Sequence, residues 1–252
     1  VNRPVVLLIG GLDSSGGAGV LRDAQAVARL GGVARVAVTA VTAQTDHAVL
    51  DVHPVPIVTL RAQIRAALEQ GPVAAVKIGM LGTAAAVREV VAGLPRELPW
   101  VVDPVLASSS GAPLLDEEGV DVLLDALLPL ARLVTPNLPE LTVLAARCGI
   151  GSMQSGGVAA VEALLTCTPA LLVKGGHAPE AALVVDRLYQ REHPMREFTG
   201  PRYPFSLRGT GCLLASLIAA GLAKGESLQT AIGTARAALA GWFEARAREG
   251  QC

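Results

Sequence analysis

Strand-like apolar runs and helically spaced apolar positions alternate along nearly the whole chain. Residues 4–9 form a continuous β-rich run ending at Gly10-Gly11, and residues 19–30 then carry helical spacing up to Gly31-Gly32. Residues 35–42, rich in Val and Thr, read as a strand. Residues 57–70 read as an amphipathic helix with Leu60, Ile64, Ala67 and Leu68 on one face. A short strand at 74–78, a helix at 84–94 and a strand at 100–102 follow. Helical spacing returns at 117–127 and 129–131, then a strand at 133–135, helices at 138–146 and 157–165, and a strand at 170–173. A hairpin-like patch covers 182–189 and 196–199, and two helices, 212–223 and 228–246, come last.

Repeated strand-then-helix order predicts an α/β fold, with a central, mostly parallel sheet covered by helices on both faces. No linker rich in Pro, Gly or Ser divides the chain and no fixed-period repeat appears, so residues 1–252 read as a single domain. A TIM barrel has the same alternation. The late hairpin and the two consecutive final helices favour the open sheet.

Composition narrows the function. Hydrophobic residues make up 51% and charged residues 17%, while aromatics are only 3%, so the core is expected to be built from Ala, Val and Leu. A net charge of −1 without a basic block excludes a nucleic-acid binder, whose affinity rests on clustered Lys and Arg. The most apolar stretches, such as 213–223, are shorter than the roughly 20 residues of a membrane span. Cys148, Cys167, Cys212 and Cys252 make no CxxC pair or zinc spacing, and no signal-peptide pattern is present; a soluble, cytoplasmic protein with free thiols is expected. His47, His53, His177 and His193 have no zinc spacing either, and Trp100 and Trp242 read as packing residues. Lysine occurs only at Lys77, Lys174 and Lys224, which hints that it is kept where a compact ammonium is needed.

Open α/β sheets bind ligands beyond the carboxyl ends of their strands. The chemically unusual residues fall there: 13–19, Gln44, 77–80, Asp103, Asn137 with Glu140, and 174–176. The small residues of 10–19 allow close approach of backbone to ligand, or simply a flexible connection; they match neither a Walker A loop nor GxGxxG. Asp23, one turn into the following helix, reads on its own as a solvated position. Gly209-Thr210-Gly211-Cys212 directly precedes an apolar helix. Its backbone N–H groups and the helix start can make an anion hole suited to phosphoryl transfer, and Thr210 can add its hydroxyl. At that helix start the Cys212 thiol pKa is expected to fall. The alternative is a turn with a small buried thiol. Likewise Asn137 can be only a helix cap, and Lys174 only a surface charge.

The motifs GGLDSSGGAGVLRD (10–23), VTAQ (41–44), KIGML (77–81), DPV (103–105), SGAPLL (110–115), TPNLPE (135–140), KGGH (174–177) and GTGC (209–212) resemble, in order and spacing, those of the hydroxymethylpyrimidine/phosphomethylpyrimidine kinases of thiamine biosynthesis. The resemblance covers essentially the whole chain. It implies a ribokinase-like fold, ATP and Mg2+ as cofactors, an aminopyrimidine alcohol or its monophosphate as substrate, and a homodimer. By resemblance, Gln44 would hydrogen-bond the aminopyrimidine, with Ala18, Asp23 and Met80 around the ring. Gly209, Thr210, Gly211 and Cys212 would be catalytic, Cys212 helping to deprotonate the substrate hydroxyl or to seat the anion. Asn137, Lys174 and Thr210 would contact the nucleotide, and Asp103 and Glu140 would lie near magnesium. A pyridoxal kinase of the same fold and a non-catalytic pyrimidine-binding protein are the competing readings. The chain departs from the family pattern at Ser14, where Pro is usual, at Ser109 and Arg236, where Lys is usual, and at Arg208, where His is usual. Arg208 places permanent charge beside the anion loop, which predicts a preference for the phosphorylated substrate.

Overall fold

A computed structural model describes residues 3–45, 47–108, 111–150, 157–177, 183–205 and 207–249. Ser109, Ser110, Ala182 and Cys252, all touched on by the sequence reading, lie outside the described residues. One nine-stranded sheet runs through the fold in the order β3-β2-β1-β4-β5-β6-β7-β8-β9. Its strands are β1 (Val5–Asp13), β2 (Val33–Gln44), β3 (Val49–Pro54), β4 (Ala75–Ile78), β5 (Trp100–Val102), β6 (Leu133–Val134), β7 (Ala170–Val173), β8 (Leu183–Gln190) and β9 (His193–Pro201). From β2 through β7 every pairing is parallel; β3, β8 and β9 join the two edges antiparallel.

The helices are α1 (Gly19–Arg29), α2 (Ile57–Glu69), α3 (Ala84–Gly93), α4 (Glu117–Val122), α5 (Leu138–Arg147), α6 (Val158–Cys167), α7 (Thr210–Ala223) and α8 (Leu228–Glu249). Alternation along β1 splits the core: Leu7 and Ile9 pack with α2, α3, α5 and α6, while Val6 and Leu8 pack with α1, α7 and α8. The α7 segment Leu213–Gly221 is buried on all sides, which suits a helix apolar all round. It is the wall that carries the GTGC loop. Three arginines serve the helix ends. Arg3 donates to the carbonyls of Gly31 and Gly32 after α1, and Arg191 donates to those of Leu165 and Thr166 in α6. Arg35 donates to Ala67, Gln70 and Gly71 at the end of α2. A cation there satisfies carbonyls that the helix leaves unpaired.

Two elements differ from the sequence expectation. The helix expected over 117–127 is α-helical only to Val122; Leu123–Leu127 widens into a π turn and Leu128–Leu130 tightens to 3-10, with Pro129 lacking the N–H to continue an α-helix. Strand β3 was not expected, because Val49–Pro54 is mostly exposed and shows no alternation. Main-chain pairing to β2 holds it instead, and this extends β2 beyond the core so that Gln44 stands at its tip. The register shifts between Ala43 and Gln44, a bulge that re-aims side chains there.

Replacing Arg35 by Ala should lower stability by about 1.5–3 kcal/mol, the range for hydrogen bonds involving a charged group, without altering substrate turnover. Urea unfolding with an unchanged m-value is the measurement; an unshifted midpoint would show that the α2 end does not need this cap.

Candidate active site

The parallel strands all end on one side, and a cavity of about 1220 Å3 opens there. Ala18, Asp23, Gln44, Met80, Asp103, Asn137, Glu140, Lys174 and all of Gly209 to Cys212 line it. Every site residue drawn from the sequence is therefore brought to one cavity. Its far end, over β8, β9 and α8, is lined by Phe198, Tyr203, Phe205 and Phe243, so much of a small aromatic complement gathers in one place.

Two loops meet at the cavity floor. Gly209, the N-cap of α7, has φ +69° and an added Cβ there would stand 2.6 Å from the Gly17 carbonyl oxygen. Gly19, at φ +62°, packs on the Gly11 carbonyl so closely that no side chain fits. Helices α3, α4 and α5 are capped by Thr83, Asp116 and Asn137, whereas α1, α2, α6 and α7 have no side-chain cap; of these, α1 and α7 start at the cavity. First-turn N–H groups at α7 thus remain open to an anion.

Beneath the loops lies a row of buried charges. Lys77 Nζ donates to Asp23 Oδ2 at 2.7 Å, and Ser216 Oγ donates to Asp23 Oδ1 at 2.8 Å, with all three side chains out of solvent. Asp23 is therefore no solvated helix residue; its helix face is pressed between β4 and α7. Lys174 Nζ donates to Asp103 Oδ1 at 2.6 Å and stands 3.7 Å from Glu140 Oε2. Lys174 is likewise buried rather than a surface charge. Burial opposes both ammonium charges, yet the facing carboxylates raise both lysine pKa values. For Asp103, burial is outweighed by Lys174 and Lys77, which hold its carboxyl below the usual range. Glu140 goes the other way: burial, helped by neighbouring Asp103, raises it to about 7 against the pull of Lys174.

Asn137 does cap α5, and it does so in a capping box. Its side chain accepts from Glu140 N while Glu140 accepts from Asn137 N, each at 2.8 Å. Both residues still face the cavity, so cap and lining are one arrangement. Among the described residues no group of three or more His, Cys, Asp or Glu side chains forms a metal cluster.

The expectation for Cys212 is overturned in one respect. Its thiol pKa is raised well above the ordinary value, by burial first and by Asp103 and Asp23 next, with Lys77 opposing. The helix start does not offset the loss of water. Burial beside these carboxylates favours the protonated thiol.

Arg208 also differs from expectation. Its guanidinium pairs with Asp13 at 3.3 Å and donates to Ser15 Oγ and to the Thr45 carbonyl, so its charge is already met by a carboxylate. Arg236 reaches Asp186 Oδ2 at 2.8 Å, and Asp186 Oδ1 accepts from Gly175 N, next to Lys174. The sequence reading missed Ser216, Asp186 and the partners of Lys77. A lone hydroxyl within the apolar run 213–220 and the rarity of lysine were the only signals.

Asp23→Ala should cost about 3–5 kcal/mol in denaturant unfolding, because Lys77 loses its counter-charge while still buried. Joint replacement by Asp23→Leu and Lys77→Met should recover most of that loss, and a double variant as unstable as the single one would refute the ion-pair account. Glu140 gives a pH effect. A carboxyl with a raised folded pKa contributes stability that is present below its unfolded value and lost as pH rises through about 7. The ligand-free protein should therefore lose stability between about pH 4.5 and 7 on this account, and Glu140→Gln should flatten that slope.

Comparison with known proteins agrees with the geometry. Residues 13–251 match the family model described as phosphomethylpyrimidine kinase. A hydroxymethylpyrimidine/phosphomethylpyrimidine kinase of Haemophilus influenzae is 38% identical over 244 residues, covering 93% of this chain and 89% of the relative. The crystal structure of a phosphomethylpyrimidine kinase from Clostridium difficile superposes with a TM-score of 0.79 at 31% identity, covering 96% of this chain and 100% of that one. A Staphylococcus aureus pyridoxal kinase in complex with AMP-PCP and pyridoxal superposes with a TM-score of 0.82 at 29% identity, covering 93% and 86%. The fold is thus the ribokinase-like one, and the chain belongs to the phosphomethylpyrimidine kinase family.

Proposed function

We propose that this protein transfers a phosphoryl group from ATP to 4-amino-5-hydroxymethyl-2-methylpyrimidine, to the monophosphate of that alcohol, or to both, giving the pyrimidine diphosphate used in thiamine biosynthesis. The observation that carries this reading is the shared cavity, with Gln44 and Met80 at one end, Asn137 and Lys174 further along, and the uncapped start of α7 on its floor. Gln44 offers an amide that both donates and accepts, as the edge of an aminopyrimidine requires. Ala18 and Met80 would flank the ring, with Asp23 acting beneath it through Lys77. Gly209, Thr210 and Gly211 supply N–H and O–H donors to the transferred group, and the neutral Cys212 thiol seats it. Asn137, Lys174 and Thr210 would meet the nucleotide phosphates.

Magnesium suits the donor set. Asp103 and Glu140 offer hard carboxylate oxygens, and with no third His, Cys, Asp or Glu grouped with them among the described residues the ion would rely on water and phosphate oxygens, as Mg2+ does. Bound there, it would neutralise charge on the phosphates. The chain would act as a single ribokinase-like domain over residues 1–252, in the cytoplasm and as a homodimer. No helix among the described residues is long and apolar enough to cross a membrane. A second reading, phosphorylation of pyridoxal, draws on the pyridoxal kinase fold neighbours. Relatives named as pyrimidine kinases, at 37–41% identity, favour the first.

An ADP-release assay with ATP and magnesium tests this against a panel of the alcohol, its monophosphate and pyridoxal. Turnover of either pyrimidine faster than pyridoxal is expected, and turnover of pyridoxal alone would overturn the assignment. Cys212→Ala should lower kcat by about 100-fold while substrate still binds; an unchanged rate would remove Cys212 from the catalytic set.

A further inference from the structure

Arg208 reaches across the mouth of the cavity to two segments distant in sequence. Nη1 donates to the Thr45 carbonyl at 2.7 Å and to Ser15 Oγ at 3.1 Å, and Nη2 meets Asp13 Oδ2 at 3.3 Å. Asp13 is buried, and its other oxygen accepts from Ser15 N at 2.9 Å and Ser15 Oγ at 2.8 Å, which closes the turn after β1. Thr45 directly follows Gln44. The Gln44 N–H donates to Ser14 Oγ at 2.9 Å, and its Oε1 accepts from Thr42 Oγ1 at 3.2 Å. One guanidinium therefore ties the loop that starts α7 to the β1–α1 loop and to the tip of β2. Arg208 and Ser14, both departures from the family pattern, sit on the same web of bonds around Gln44.

The chemistry fits a tie better than a phosphate receptor. A planar fork of five donors can serve a carboxylate, a hydroxyl and a carbonyl at once, which an ammonium on a flexible stem does poorly. An incoming phosphate would compete with the buried Asp13 carboxylate for the same guanidinium, and drawing Arg208 away would leave that charge without its partner. We propose that Arg208 is a positioning residue, anchored by Asp13, that holds Gln44 and residues 13–19 in register with Gly209-Cys212 and so sets affinity for the pyrimidine ring, not for the substrate's phosphate. This inference rests on the pyrimidine-kinase reading of the cavity.

Steady-state kinetics on Arg208→Ala, Arg208→Lys, Asp13→Asn and the Arg208→Ala/Asp13→Asn pair test it. Arg208→Ala should raise KM for the alcohol and the monophosphate by the same factor, about tenfold, and leave KM for ATP within about twofold. Arg208→Lys should rescue little. The double variant should be no worse than either single one, the signature of groups acting as a unit. A KM rise confined to the monophosphate, or a gain in monophosphate affinity on freeing Arg208 by Asp13→Asn, would overturn the proposal. A second readout is independent of activity: amide hydrogen exchange of the ligand-free protein. Exchange at residues 13–19 and at Thr45 should quicken in Arg208→Ala while α7 is unchanged, and unaltered rates would reject the tie. Should the wild-type protein turn over neither pyrimidine, the kinase reading fails by itself, and exchange still decides whether Arg208 holds these loops.

Discussion

Two lysine ammoniums lie out of water under the cavity, and each is tolerable there only because a carboxylate from another element meets it. An unpaired buried charge costs far more than any single packing contact returns. Asp23 on α1 must therefore face Lys77 on β4, and Asp103 after β5 must face Lys174 after β7. Ser216 on α7 completes the first pair. These contacts fix α1, β4 and α7 to one another and the end of β5 to the end of β7, and these are elements that line the cavity. Buried ion pairs add little net stability compared with apolar packing. Their value here is electrostatic: fixed charges in a water-poor floor act on a ligand without reorganising.

Above that floor, the start of α7 leaves backbone N–H groups without a side-chain cap. The helix starts at α3, α4 and α5 are closed by their own side chains, while α7 begins at Gly209 with its first-turn N–H groups open to the cavity. Close contact of Gly209 on Gly17 makes the position of this loop depend on the β1–α1 loop. The bulge at Ala43/Gln44 and the unexpected strand β3 set the remaining wall. The cavity wall around Gln44 and Met80 is thus a property of three loops braced against one another, whereas the wall around Asn137 and Lys174 rests on strand ends.

The parallel sheet and most helices were legible because continuous apolar strands and 3.6-residue spacing report burial on known faces. The line of strand ends then placed the site residues on one edge. What could not be read was pairing. Asp23 looks like a solvated helix position until Lys77 and Ser216, distant in sequence, close on it. Strand β3 is held by main-chain bonds to β2, which leave no side-chain pattern. For Cys212, the helix start alone predicts a more acidic thiol, but burial, with Asp103 and Asp23 beside it, turns the shift upward.

That sign bears on the proposed chemistry. Ionising Cys212 would add negative charge to a floor that already holds Asp23 and Asp103, in a place with little water to help. The same floor carries Lys77, Lys174 and the open start of α7, all suited to receive negative charge that arrives with a phosphoryl group. A site built this way accommodates an incoming anion more readily than it creates a second one by deprotonating a thiol. Phosphoryl transfer through a loose transition state places little positive charge on the attacking oxygen, so the proton can leave late and a weak acceptor suffices. On the proposed reading, the Cys212 thiol therefore stays neutral and acts by seating the transferred group, not by taking the substrate's proton.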